Sequence, residues 1–324
     1  MSKPCRLALV GATGAMGEMV LEQLDSQAVP VTTLHPLAST DSSGDTIEWQ
    51  GKSLRVSAVD DFDFSQADIV VFAASERVVQ RHAARAQASG CMVLDLSGGL
   101  PGASLMVLEG DITSSSMVVA EPLAHMLARV LPSLEEEWGV AAVHVTALYP
   151  AASRGRDAVE ELAQQTVALF NNQDVELASF PVRSAFNAIP QVGAFIDAHH
   201  TRTEQRVAEQ LPGLLQRDDV LVSVTAVQAP VFYGLAASVT LELDHEASEE
   251  AVRTRLDTAQ TALLRDEAKA GGYMTPIDVI GKADVFVSRL RQISPRRVGF
   301  WLCADPMCLN ATAVVQCVAN WVQA

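Results

Sequence analysis

Between Arg6 and Leu24 the chain reads RLALV, then GATGAMG, then a stretch with Met16, Met19, Val20 and Leu24 at helical spacing. Glycines at 11, 14 and 17 between an apolar strand and an amphipathic helix place backbone N–H groups and the positive helix end where a pyrophosphate would lie. Gly11, Ala12, Thr13, Gly14, Ala15, Met16 and Gly17 are thus a candidate dinucleotide cradle. About 20 residues beyond such glycines, a carboxylate bonds the ribose 2′-hydroxyl of NAD, whereas a cation takes the 2′-phosphate of NADP. The LASTDSSG stretch, Leu37 to Gly44, offers Ser39 and Asp41 and no neighbouring Lys or Arg. If a dinucleotide binds, NAD(H) is favoured over NADP(H), and a scaffold that binds neither is the alternative.

A second stretch raises a different question. VVAEPLAHML, Val118 to Leu127, ends an apolar run at Ala120, places a Pro at 122 and begins a helical pattern, as a strand does when it enters an active-site turn. Nothing from Glu121 to Ala124 is a strong nucleophile. Ser153 and His125 are the best substitute pair, but His125 reads as a partly exposed residue on a helix whose apolar face is Leu123, Met126, Leu127 and Val130. Arg154 and Arg156 flank Gly155 and could hold an anion. The cysteines at 5, 91, 303, 308 and 317 lack the paired spacing of a zinc site and read as buried thiols. Adjacent His199 and His200 diverge, so no metal site is expected.

The elements around these residues define the architecture. Short apolar runs at Arg6–Val10, 31–34, 69–72 and 92–94 alternate with helical stretches such as 78–88, which implies a parallel sheet covered on both faces. From about Ala141 the texture changes. Val143, Val145 and Ala147 alternate with His144 and Thr146, and 158–170 reads as a helix. Strands follow at 220–227, 237–243, 285–290 and 298–302, with an amphipathic helix over 251–264. The expected fold is α/β, a Rossmann-type doubly wound N-terminal domain with an inserted α+β domain of the catalytic or dimerisation type. Its boundaries are residues 1–122 plus 305–324 for the first domain and 123–304 for the second.

With 324 residues, 49% of them apolar, the chain can build two cores. A net charge of -16 speaks against a nucleic-acid surface, and no apolar run approaches the ~20 residues of a membrane span. MSKPCRLALVGATG leaves no room for a signal core, so a cytoplasmic location is expected.

Five landmarks in order, VGATGAMG, the LAS of 37–39, GCMVLDLSG at 90–98, AFNAIPQVG at 185–193 and APVFYG at 229–234, resemble the aspartate-semialdehyde dehydrogenase family. The chain is most similar to its Usg-type branch, whose activity is uncertain. The resemblance implies a Rossmann domain completed by a C-terminal helix near 311–322, a homodimer, and a place in amino-acid biosynthesis, where family enzymes reduce aspartyl phosphate with NADPH through a cysteine thioester. It also places the family's site residues. The cysteine position falls at Ala124, with a register that could slip toward Glu121. The glutamine falls at Pro150, the substrate arginine at Gln228, the histidine at Leu235, the phosphate-binding arginine at Pro101, and the arginine of the family's Ser-x-Arg-Ser-Ala-Gly segment at Asp41. Arg206 alone keeps a cation near a substrate lysine.

With no nucleophile, acyl-enzyme formation is impossible by the family route, and general acid–base help alone is worth only ~10²–10⁴ in rate. The leading expectation is therefore a catalytically inactive relative, a pseudoenzyme that binds a metabolite or a protein partner. An NAD(P)-dependent oxidoreductase for another aldehyde or oxo substrate is one alternative. A non-catalytic subunit paired with an active paralogue is another.

Overall fold

Four strands of four to six residues, largely apolar and largely buried, form the centre of the N-terminal sheet, with shorter strands at its edges. The computed structural model describes residues 4–106 and 112–323; residues 1–3, 107–111 and 324, all within the expected first domain, lie outside the described residues. The chain divides into two compact units, Met1–Ala120 with Asn310–Ala324, and Glu121–Leu309.

In the first unit the order is β1 (Arg6–Val10), α1 (Ala15–Ser26), β2 (Thr33–Ala38), β3 (Thr46–Trp49), β4 (Lys52–Arg55), β5 (Ser57–Ala58), β6 (Ile69–Phe72), α2 (Glu76–Ala88), β7 (Met92–Asp95), β8 (Ser104–Leu105) and β9 (Ser116–Val118). Seven strands pair in the order β5-β2-β1-β6-β7-β9-β8, all parallel, and β3 with β4 forms a separate hairpin. Alternation along β1 explains why both faces are covered. Leu7 and Leu9 join one core with Val20 and Leu24 of α1 and with Val314 and Val318, while Ala8 and Val10 join another with Val79 and Ala83 of α2. The chain leaves β1 for β2 on one side and returns to β6 on the other. β1 and β6 therefore flank the switch point where open α/β sheets receive ligands.

The second unit contains α3 (Pro122–Ala128), α4 (Leu131–Trp138), β10 (Val140–Tyr149), α5 (Arg156–Phe170), α6 (Arg202–Leu215), β11 (Leu221–Gln228), β12 (Leu235–Leu243), α7 (Glu249–Ala259), β13 (Leu263–Leu264), β14 (Phe286–Ser294) and β15 (Arg297–Ala304). α8 (Pro306–Gln323) closes the chain. The six-stranded sheet runs β11-β10-β12-β15-β14-β13 and is mixed: β10 pairs β11 in parallel and β12 antiparallel.

Three local readings change. The second strand lies at Thr33–Ala38 rather than 31–34, because Val29 and Val31 finish the turn after α1 with their own backbone bonds. α7 ends at Ala259, with Gln260 left-handed at its C-cap, and Leu263–Leu264 pairs with β14 instead of extending the helix. His125 is buried, 3% exposed, because α3 is enclosed on every side from Leu123 to Ala128. A helix without a solvent face gives a polar residue no outside to occupy.

Candidate functional site

The glycine turn divides into glycines that the fold needs and one that it does not. Gly11 has φ of +88°, and a side chain there would stand 2.4 Å from the Ala73 carbonyl just past β6. At Gly17 a Cβ would fall 2.1 Å from the Gly11 carbonyl. Packing alone thus accounts for both. Gly14 is exposed, and its nearest neighbour to a Cβ, the Gly11 carbonyl, is at 3.4 Å, an ordinary contact. It is the N-cap of α1 and makes no side-chain cap.

Within the seven-residue cradle the donors are unequally placed. Gly11 and Ala12 give their N–H groups to the Leu37 carbonyl, and Gly14 gives its own to Gly11. The first helical bond recorded here runs from Glu18 to Gly14, which leaves the amides of Ala15, Met16 and Gly17 as the orphan donors of the helix end. A phosphate fits that end by charge and by donor direction. Ser39 and Asp41, both exposed, follow β2 at the N-cap and within a 3-10 turn, Thr40–Ser42. The β3–β4 hairpin folds back on this turn: Gly44 donates to Val56, and a Cβ on Gly44 would lie 3.7 Å from Arg55 Nη2. A cation does stand near this loop, contrary to the sequence reading, because the hairpin brings in a residue from eleven positions on.

GCMVLDLSG is an organising loop. Asp95 is fully buried, and its carboxylate accepts from the Ser97 N–H and hydroxyl and from the Leu100 N–H. Gly99 packs on Glu76, whose Cα would be 2.7 Å from a Cβ. Pro101 follows on the surface.

The second unit gathers the other positions at one end of its sheet. β10 ends at Tyr149 opposite Gln228 of β11, and Leu148 lies opposite Ala236 of β12, next to Leu235. Tyr149 Oη donates to Glu121 Oε1 at 2.7 Å. The other Glu121 oxygen accepts from the Leu123 N–H at 2.8 Å and the Ala124 N–H at 3.4 Å, so it caps α3. Burial pushes the Glu121 carboxyl up to about 7, against the opposing pull of Tyr149, the two amides and the charge of Arg206. The same enclosure and the facing carboxylate raise the Tyr149 phenol well above its usual value.

Ala124 is fully buried and presents a methyl group. Pro150 and Leu235 are buried as well, and Leu235 pairs with Ala304. Gln228 is fully buried; its Nε2 donates to the Tyr149 carbonyl, and its Oε1 accepts from Arg154 Nε. Arg206 lies half-buried on α6, one turn from the Thr201–Glu204 capping box, and Glu204 also accepts from the Ala226 N–H of β11.

Ser153 donates to the Pro150 carbonyl at 2.7 Å, and among the described residues no hydrogen bond joins it to His125. All five cysteines are buried and reduced, and burial pushes Cys303 and Cys317 up to about 12. His200 bonds Asp197 rather than pairing with His199 at a metal site. Among the described residues no group of three or more His, Cys, Asp or Glu is disposed to hold a metal ion, and no helix is long and apolar enough to cross a membrane.

A parallel doubly wound domain with an open glycine turn, joined to a mixed-sheet domain inserted before its last helix, defines a dinucleotide-binding dehydrogenase class. Residues 6–109 match the NAD binding domain of semialdehyde dehydrogenases and residues 131–308 their dimerisation domain. The chain belongs to the semialdehyde dehydrogenase family. It is 36% identical to a USG-1 protein homolog of Pseudomonas aeruginosa over 94% of each chain. It is 32% identical to an aspartate-semialdehyde dehydrogenase of Legionella pneumophila, over 94% of this chain and 92% of that one. Among solved structures, aspartate semialdehyde dehydrogenase II of Vibrio cholerae complexed with ASA superimposes with a TM-score of 0.92 at 30% identity, covering 99% of both chains.

Proposed function

We propose that this chain is a non-acylating member of its family, a homodimeric dinucleotide-binding scaffold that acts by holding a metabolite or a protein partner. One observation carries the reading. At the turn where the resemblance puts the nucleophile, Ala124 has no reactive atom, and the first amides of α3 are already taken by the chain's own Glu121 carboxyl. An acyl-thioester mechanism needs a thiolate and free donors for the developing oxyanion. Gln228, Pro150 and Leu235 supply neither a cation nor a proton carrier. Relatives named aspartate-semialdehyde dehydrogenases support the ancestry of this architecture; the side chains at these positions argue against retention of the chemistry.

Dinucleotide binding is part of the proposal because Gly14 leaves the α1 terminus open for reasons that packing does not supply. A bound nicotinamide dinucleotide would supply hydride chemistry; Ala15, Met16 and Gly17 would hold its pyrophosphate, with Ser39 and Asp41 at the ribose. Arg55, near Gly44, weakens the case for NAD(H) over NADP(H) made from Asp41 alone. Glu121, its carboxyl pushed up to about 7 by burial, favours a second reading as an oxidoreductase for a different substrate.

Titration calorimetry with NAD(H) and NADP(H), together with size measurement in solution, tests the scaffold. The expected result is a dimer that binds at least one dinucleotide. A monomer with no binding at millimolar cofactor overturns it.

A further inference from the structure

Arg154 closes the 3-10 turn Ala151–Arg154 and is half-buried, yet its recorded acceptors are neutral. Nε donates to Gln228 Oε1 at 3.1 Å and Nη1 to the Ser179 carbonyl at 3.2 Å. The guanidinium lies over the Phe180 ring, 5.6 Å from its centroid. Other arginines of the chain meet carboxylates: Arg6 meets Asp68, Arg217 meets Asp244, Arg253 meets Asp266, and Arg255 meets Glu136. Arg154 has no carboxylate within ion-pair distance among the described residues.

The charge of Glu161 acts on it, but that carboxylate's oxygens are engaged by Gln165 Nε2 and by the N–H groups of Ala178 and Ser179. Burial accordingly pushes the Arg154 guanidinium down from its usual value, with Glu161 opposing. A half-buried cation without an anion bears part of its desolvation cost unrelieved, and a protein of net charge -16 has no shortage of carboxylates to provide a partner. The next residue along the chain is an exposed glycine. Gly155, at φ of +100°, has no atom within 4 Å of where a Cβ would stand.

The geometry points to Arg154 as the anchor of an oxyanion-binding site, in which a small carboxylate or phosphate ligand takes the donors that Gln228 and Ser179 do not use. Two of the five guanidinium N–H groups hold the side chain in place, and the remaining donors offer a fork matched to two oxygens of one ligand. Gln228 acts here as a positioning residue. Its amide ties the guanidinium to the end of β10, so the fork is fixed before a ligand arrives. The inference rests on the binding role proposed above and names the ligand chemistry that role would use.

The test is calorimetry on the full-length protein with succinate and inorganic phosphate as separate probes, for wild type, Arg154→Gln and Arg154→Lys. Wild type is expected to bind at least one probe saturably, and Arg154→Gln to lose at least about tenfold in affinity, about 1.4 kcal/mol. Arg154→Lys keeps the charge but not the fork, so a smaller loss is expected. It serves as the readout if Arg154→Gln does not fold. Binding of succinate alone identifies a carboxylate site and of phosphate alone a phosphate site, and either supports the proposal. No binding of either probe at ~20 mM, or affinities unchanged in both variants, overturns it. Turnover of aspartate semialdehyde, assayed in parallel on wild type, would overturn the non-acylating reading while leaving the Arg154 result intact.

Discussion

Glu121→Gln should change how the stability of this protein depends on pH. The carboxyl is pushed from an ordinary 4.5 to about 7 chiefly by burial. A folded-state value above the unfolded one means the native state binds the proton more tightly. The resulting stability is fully present below pH 4.5, declines as pH rises through about 7 and is gone above it. A difference of about 2.5 at 1.36 kcal/mol per pH unit amounts to about 3 kcal/mol in all, of which about 2–3 kcal/mol is lost between pH 5 and 8. Glutamine keeps the shape and one acceptor for Tyr149 or the α3 amides but cannot titrate, so the variant lacks this component. The measurement is urea unfolding at pH 5, 6, 7 and 8 at one protein concentration, with the wild-type minus variant difference taken at each pH. The wild-type minus variant difference should fall by about 2–3 kcal/mol from pH 5 to pH 8, against wild type. Parallel curves would mean that the carboxyl does not titrate near neutrality, and the picture of an enclosed Glu121–Tyr149 pair would fall.

The glycines offer a sharp contrast. Gly17→Ala forces a Cβ to within 2.1 Å of the Gly11 carbonyl and should destabilise by about 1–3 kcal/mol or more, seen as a lower Tm. Gly14→Ala meets only a 3.4 Å contact and should cost under about 1 kcal/mol while weakening dinucleotide binding at least about tenfold by calorimetry. Ala124→Cys should not restore turnover. Glu121 holds the amides that would stabilise a thiolate, so the new thiol should titrate above the ordinary ~8.5 and react slowly with an aromatic disulfide at pH 7.

Local patterns carried much of the fold. β1, β6 and the glycine turn are visible as apolar runs and helical spacing, because each is decided by neighbours within a few residues. The polar network of the second unit was not legible in that way. Tyr149 meets Glu121 across 28 positions and Arg154 meets Gln228 across 74, and both contacts depend on the parallel register that sets Tyr149 beside Gln228. Vacancies at Ala124, Pro150, Gln228 and Leu235 could be named from the resemblance, but not what fills them. A carboxyl at the head of α3 and a guanidinium from the next turn are tertiary answers. His125 went astray for a related reason: the pattern of one apolar face assumes a helix with an outside, and α3 has none. Arg55 escaped notice because a hairpin, not proximity in sequence, delivers it to Gly44.

In the function proposed for this chain, the architecture has outlived the acylation chemistry. Its most direct test is to assay the purified protein for phosphate-dependent oxidation of aspartate semialdehyde, with NAD⁺ and with NADP⁺, following reduced nicotinamide by absorbance. The expected result is no rate above the protein-free control, with unchanged protein mass and no thioester adduct. Phosphate-dependent turnover that persists in the pure protein would contradict it, and its loss in Glu121→Gln would assign the chemistry to Glu121 at the head of α3.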